Sequence, residues 1–144
     1  KIVLKSSKLE ENVNIYDGNH YHYSHQLIHM LKQKEIIELL KILAFRKIIG
    51  TNDTCTRNII YCEGHLYTID DPVLLKTTPF MFKTHIEKYE LIYNKMVQKY
   101  WNEIQHFLKE WEEIIKNSED LNDNVKSFML GQISIYLICD NWKF

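Results

Sequence analysis

The sequence has 144 residues, 45% of them hydrophobic, which is enough for one domain with its own core and too short for two ordinary ones. Its 18 lysines and arginines nearly balance its 19 aspartates and glutamates without a long run of either sign, which argues against nucleic-acid or anionic-membrane binding. Three cysteines without a CxxC pair argue against a disulfide framework or a cysteine zinc site, and no apolar stretch approaches the roughly 20 residues of a membrane-spanning helix.

These features predict a protein without a transmembrane segment, in a reducing, cytoplasmic compartment. Residues 2–4 form a short β-type run, and polar residues with an Asp-Gly turn signal follow it. Because the chain starts with Lys1 rather than Met and is strand-like at once, we expect it to begin inside a longer parent protein. We therefore treat residues 1–144 as a single domain or a domain fragment.

Two helical patterns come next. From Ser24, a suitable N-cap, Leu27, Ile28 and Leu31 recur at helical spacing. A second run over residues 36–48 has no breaker before Gly50, which predicts a largely buried helix that ends at this glycine.

A hairpin and two further helices are predicted in the rest of the chain. The β-branched and aromatic runs at residues 58–62 and 66–69, separated by a short turn, predict an antiparallel hairpin. Thr84 and Glu87 form a capping box for one long helix that should end near residue 117. Its apolar stripe consists of Tyr89, Tyr93, Met96, Tyr100, Ile104, Phe107, Trp111 and Ile114. A last helix is predicted over residues 123–139, so the fold class is α+β and mainly helical.

Polar residues gather at one end of the predicted hairpin. Asn58 lies where its first strand begins and Asp70 where its second strand ends, so both should lie at the same end. Asp53 lies in the polar loop between the buried helix and the hairpin. Carboxylate and carboxamide oxygens at one point suit Mg²⁺, which takes few protein ligands and leaves positions for phosphate and water.

The same residues carry a resemblance to kinases. Four residues separate Asp53 from Asn58, which is the spacing of the catalytic aspartate and the metal-binding asparagine in a protein-kinase catalytic loop. The wider segment resembles the catalytic and metal-binding loops of phosphoinositide kinases and actin-fragmin kinase. It reads Ile48-Ile49-Gly50-Thr51-Asn52-Asp53, then Asn58-Ile59-Ile60, and then a hairpin that ends in Ile69-Asp70. The resemblance covers about 25 residues closely and implies the C-terminal lobe of a kinase-like fold, in which a small β-hairpin carries the metal-binding residues.

The resemblance also implies roles for three residues. Asp53 would be the catalytic residue that orients or deprotonates the acceptor hydroxyl, while Asn58 and Asp70 would bind Mg²⁺ ions that bridge the phosphates of ATP. The implied function is an ATP- and Mg²⁺-dependent phosphotransferase, or its degenerate remnant. The phosphate acceptor stays open, because protein, lipid and small-molecule kinases share these loops.

The sequence departs from the family pattern in several places. Asp71-Pro72 stands where the family usually has Phe-Gly, and Thr54 stands where a basic residue or histidine often follows the catalytic aspartate. No Gly-rich loop precedes the motif, and Lys5, the only lysine that resembles a strand-borne phosphate ligand, is too near the catalytic loop to be the ATP lysine of the family. We therefore expect the N-terminal nucleotide-covering lobe to be absent. The alternative function is a non-catalytic helical interaction module with a protein partner, either a pseudokinase or an unrelated binding domain.

Other polar residues admit simpler interpretations. In one of them, Asp53 caps a turn and Asn58 bonds its own backbone. Imidazoles on one helix face can hold Zn²⁺ or Ni²⁺, but a surface helix start rich in histidine explains the same pattern. The histidines concerned are His20, His22, His25 and His29. Cys55 or Cys62 would be nucleophilic only beside a histidine, and Arg57 either meets a phosphate or pairs with Glu63.

Overall fold

The computed structural model describes residues 21–51, 54–69, 72–76, 82 and 87–138. In this part of the chain, helices dominate and three short strands form one antiparallel sheet in the order β1-β2-β3. The predicted α+β class with a mainly helical composition is therefore confirmed. The strand predicted at residues 2–4 and the capping residue Thr84 lie outside the described residues.

The sheet is built around the predicted hairpin. Strand β2 (Ile59–Cys62) pairs with β3 (His65–Thr68), and the register sets Ile59 opposite Thr68 and Cys62 opposite His65. Glu63 and Gly64 form the turn between them with φ of 50° and 82°, as in a two-residue type I′ hairpin. Strand β1 (Tyr21–His22), which the sequence did not indicate, pairs with the other edge of β2.

Helix α1 (Gln33–Ile48) is the central element, because it contacts β3 on one side and the C-terminal helices on the other. It ends in a Schellman motif, in which the Thr51 N–H donates to the Arg46 carbonyl and the Gly50 N–H to the Lys47 carbonyl, both at 3.1 Å. Gly50 has a φ of +67°, so the predicted stop at this glycine is confirmed. The helical pattern predicted from Ser24 forms only a 3₁₀ helix, His25–His29.

Three helices follow: α2 (Glu87–Lys99), α3 (Trp101–Asn117) and α4 (Asp123–Ile138). The prediction of one continuous helix up to residue 117 is wrong at Tyr100, where φ is −105° and ψ is 23°. Neither proline nor glycine marks this position, so the local sequence carries no signal for the break. The predicted last helix is confirmed over residues 123–138, and residue 139 lies outside the described residues. None of the described helices is long and apolar enough to cross a bilayer.

The apolar stripe of α2 and α3 mostly faces the core, as predicted. Its members Tyr89, Tyr93, Tyr100, Ile104 and Phe107 are buried, whereas Met96 and Trp111 are half-buried. Ile114 was predicted to face the core but is 65% exposed, and Ile115 is buried in its place. The reason is helical geometry, because the buried face continues from Trp111 by a step of four residues rather than three.

Candidate functional site

The structure describes one of the three predicted site residues directly. Asn58 ends the 3₁₀ helix Thr56–Asn58, is only 5% exposed and immediately precedes β2. Asp53 and Asp70, with Asp71, lie outside the described residues, but Thr54 and Ile69 next to them are described. The geometry of the candidate site is therefore set by the residues that flank the two aspartates.

Asn58 lies opposite the residue that precedes Asp70. The Ile69 N–H donates a hydrogen bond of 2.9 Å to the Asn58 carbonyl, which extends the β2–β3 register by one position. The Asn58 side chain turns back toward the preceding loop, where its Nδ2 lies 3.7 Å from the Cys55 Sγ. The hairpin thus brings Asn58 and Ile69 together, and the metal-binding roles of Asn58 and Asp70 stay predictions.

A buried arginine joins the two flanks. Arg46, in the last turn of α1, has no exposed surface, and its Nε donates to the Thr54 Oγ1 at 3.1 Å. Its Nη1 donates to the Thr68 Oγ1 at 3.1 Å and to the Ile69 carbonyl at 3.0 Å. Since a buried guanidinium is costly unless its N–H groups are hydrogen-bonded, these contacts favour one arrangement of the loop and the strand end.

Sequence reasoning missed Arg46 because it assigned residues 36–48 to a buried helix by their apolar members alone. A weak signal was present. Arg46 follows the buried residues Leu39 and Ile42 at steps of three and four, so it falls on the same helix face. A charged residue on such a face is expected to have hydrogen-bonding partners in the interior.

At its turn end, the hairpin is held by two carboxylates of α1. The Tyr61 hydroxyl donates to the Glu35 Oε2 at 2.8 Å, and the Leu66 N–H donates to the Glu38 Oε1 at 2.8 Å. Burial of the Tyr61 hydroxyl, together with its hydrogen bond to Glu35, raises the pKa of Tyr61 to about 12. Polar contacts from α1 therefore fix both ends of the hairpin.

The chain that follows the motif returns to the end of α1. The Lys76 N–H donates to the Gly50 carbonyl at 3.1 Å, and the Leu75 N–H donates to the Ile49 carbonyl at 3.1 Å. A Cβ on Gly50 would lie 2.4 Å from the Lys76 nitrogen and 2.8 Å from the Phe128 Cε1. The glycine of the motif is therefore required by close packing as well as by its positive φ.

The histidine cluster does not form the helical face that its spacing suggested. His22 lies in β1 opposite Ile60, because this segment is extended, and only His25 and His29 lie in the 3₁₀ helix. His20 lies outside the described residues. Within the part of the chain that the structure describes, no group of three histidines, cysteines or acidic residues could hold a metal ion.

His25 instead belongs to a buried aromatic cluster. Its Nδ1 shares a hydrogen bond of 2.7 Å with the Tyr93 hydroxyl, which shares another of 3.0 Å with the Tyr23 hydroxyl. The His25 ring also lies 4.7 Å from the Phe82 ring and 5.5 Å from the Tyr89 ring, measured between centroids. Burial raises the pKa of both Tyr23 and Tyr93 above the ordinary range of tyrosine, so both hydroxyls stay protonated. This cluster joins the segment that follows β1 to α2.

Two open grooves lie along α1. One, of about 650 Å³, is lined by α1 residues that include Lys34, Ile37 and Lys41. The other, of about 490 Å³, lies where α1 meets α3 and includes His106 and Glu110. Their described lining carries charges of both signs, which indicates no ligand class.

Comparison with known proteins adds no relative. The chain matches no protein-family model, no curated protein and no solved structure. The residues and their geometry are therefore the basis for any functional proposal.

Proposed function

We propose that this chain is the C-terminal lobe of a kinase-like phosphotransferase that uses ATP and Mg²⁺, or a degenerate remnant of one. In this proposal Asp53 orients or deprotonates the acceptor hydroxyl, and Asn58 and Asp70 bind the metal. The supporting observation is the pairing of Asn58 with Ile69 at 2.9 Å, beside the Arg46 guanidinium that also contacts Thr54. Residues next to both aspartates in the sequence therefore share one small region.

The physical argument is positioning. Phosphoryl transfer needs little covalent help from the protein, because catalysis comes mainly from holding the metal, the phosphates and the acceptor in line. A metal ligand is effective when its surroundings lock its orientation. The backbone of Asn58 is held in this way, since the residue is buried and its N–H and carbonyl are hydrogen-bonded to Cys55 and to Ile69, which supports a fixed position for its side chain.

Thermal unfolding with and without ligand tests the proposal. Millimolar Mg²⁺ with ATP should raise the melting temperature, since a ligand that binds the folded state alone stabilises it by mass action, about 1.4 kcal/mol at a tenfold excess over Kd. Asp70→Asn should abolish that rise and leave the metal-free protein equally or slightly more stable. The slight gain in stability would come from removing the repulsion between the negative charges of Asp70 and Asp53 in the metal-free site. Asp120→Asn, the same change at an exposed position in the α3–α4 loop, should keep the full rise.

The role of Asp53 is tested separately from binding. Asp53→Ala should retain the rise in melting temperature with Mg²⁺ and ATP but should remove phosphoryl transfer to any acceptor. A wild-type chain that shows no rise with millimolar Mg²⁺ and ATP would contradict nucleotide binding and leave the interaction module as the better function.

One observation favours that second function. Ile135 and Ile138, three residues apart on α4, are 54% and 80% exposed, so one face of this helix presents apolar surface. An interaction module would cover this face with a protein partner. Replacing both isoleucines by glutamine should then weaken partner binding without lowering the melting temperature, whereas the same change at the buried Ile133 should unfold the chain.

A further inference from the structure

We propose that Arg46 is a positioning residue that couples the loop around Asp53 to the strand end before Asp70. Its side chain contacts Thr54 on one side and Thr68 and Ile69 on the other, at 3.0 to 3.1 Å. Its own carbonyl accepts the Thr51 N–H at 3.1 Å. One residue therefore holds both described ends of the 51–54 loop together with the end of β3.

The kind of side chain supports a positioning role. Arginine presents five N–H donors in a planar fork, so a single guanidinium contacts several acceptors at fixed angles, which a lysine ammonium does less well. Among the described residues, its guanidinium donates to two threonine hydroxyls and one backbone carbonyl. An apolar side chain of similar volume often stabilises a core as well as a buried charge does, so stability alone gives little reason for an arginine.

The contacts also reach the predicted metal ligand. Ile69 gives its carbonyl to Arg46 and its N–H to the Asn58 carbonyl, so the same residue touches the guanidinium and the start of β2. A change at Thr54 is therefore expected to reach Asn58 through Arg46 and Ile69. The kinetic consequence of this coupling rests on the proposed phosphotransfer function, but the coupling itself does not.

Hydrogen exchange of the Ile69 amide measures the coupling without any ligand. Thr54→Val removes the hydroxyl that accepts from Arg46 and keeps the volume, whereas the matched control Thr54→Ser keeps the hydroxyl. Loss of one buried hydrogen bond corresponds to about a tenfold change in an equilibrium constant, so Thr54→Val should speed exchange of the Ile69 amide about tenfold. Thr54→Ser should leave it nearly unchanged. In an Arg46→Lys background, Thr54→Val should cause no further increase.

Two results would overturn the proposal. If Thr54→Val leaves the exchange of Ile69 unchanged while Thr68→Val speeds it, the loop and the strand end are held independently. If Thr54→Val speeds exchange equally at Ile69 and at the buried Ile104 of α3, the threonine only stabilises the whole fold.

Kinetics supply the second readout. If the wild type transfers phosphate from ATP, the Thr54→Val variant should have a kcat about tenfold lower and an unchanged KM for ATP. The Thr54→Ser variant should have the kcat of the wild type. A wild-type chain without any response to Mg²⁺ and ATP contradicts the proposed function, while the exchange of Ile69 still decides whether Arg46 couples the two segments.

Discussion

The sheet region, residues 21–69, and the helical region, residues 87–138, both bury apolar residues, but they differ in their buried polar contacts. In the sheet region, polar groups of α1 contact the hairpin at both of its ends, through Glu35 and Glu38 at the turn and through Arg46 at the strand ends. In the helical region the buried residues are almost all apolar or aromatic, with Gln132 the buried polar exception among the described residues. Hydrogen bonds are directional and apolar burial is not, so the sheet region is suited to positioning a site and the helical region to supporting it.

The largest effect is expected in the helical region. Phe107 is buried and its ring lies 4.9 Å from the Trp111 ring, so Phe107→Ala should lower the free energy of unfolding by about 3 to 5 kcal/mol. Trp111 is half-buried, and Trp111→Ala should cost less, about 1 to 3 kcal/mol. Urea titration measures both values. Ile114→Ala, at an exposed position of the same helix, is the control and should change stability by at most about 0.5 kcal/mol. Equal losses at Phe107 and Ile114 would contradict the assigned core face.

The next effect tests the junction of the two regions. Gly50→Ala should lower the free energy of unfolding by about 2 to 5 kcal/mol, because the new Cβ meets the Lys76 backbone and the Phe128 ring at a positive φ. Gly131 lies within α4 with nothing near its Cβ position, so Gly131→Ala should instead stabilise the protein by about 0.5 to 1 kcal/mol. Thermal melting of the two variants should show shifts of opposite sign, and a Gly50→Ala variant as stable as the wild type would contradict the close approach of residue 76.

A smaller effect tests the polar contacts of the sheet region. Tyr61→Phe removes the hydroxyl that donates to Glu35 and should cost about 1 to 2 kcal/mol. Tyr67→Phe, on the exposed side of β3, should change stability by less than about 0.5 kcal/mol. A double-mutant cycle with Glu35→Gln should show coupling for Tyr61 and none for Tyr67.

The same tyrosine predicts a pH dependence. Folding raises the pKa of Tyr61 from 10.0 to about 12, so its stabilising contribution is complete below pH 10. The contribution is lost as the pH rises from 10 to 12, because the unfolded chain ionises first. The free energy of unfolding should therefore fall more steeply over this range in the wild type than in Tyr61→Phe. Parallel pH profiles of the two proteins would contradict the raised pKa that burial and the hydrogen bond to Glu35 give Tyr61.

The smallest effect concerns the hairpin turn. Glu63 has a φ of 50°, which asparagine adopts more readily than glutamate, so Glu63→Asn should stabilise the chain by about 0.5 kcal/mol. Glu63→Val should destabilise it, because a β-branched residue fits this conformation poorly. Melting temperatures of the two variants measure the difference, and a Glu63→Val variant as stable as Glu63→Asn would contradict the type I′ turn.

Sequence patterns predicted local structure well where one residue type has one physical role. Gly50 ends α1, and the β-branched and aromatic runs on either side of Gly64 form the hairpin. The patterns failed at His22, which pairs as a strand with β2 although its spacing suggested a helix. They also failed at Tyr100, where the helix breaks within a regular stripe that carries no local signal.

The sequence by itself determined the positions of Asp53, Asn58 and Asp70 along the chain, and the hairpin between Asn58 and Asp70, because turn chemistry and β-branched or aromatic runs are local signals. Only the tertiary structure decided that Arg46 would join Thr54, which follows Asp53, to Ile69, which precedes Asp70. The distances from its guanidinium to Thr54 and Ile69 depend on how α1 packs against β3, and no short segment encodes that packing. Local chemistry therefore sets the candidate residues, whereas long-range packing sets the geometry of the segments beside them.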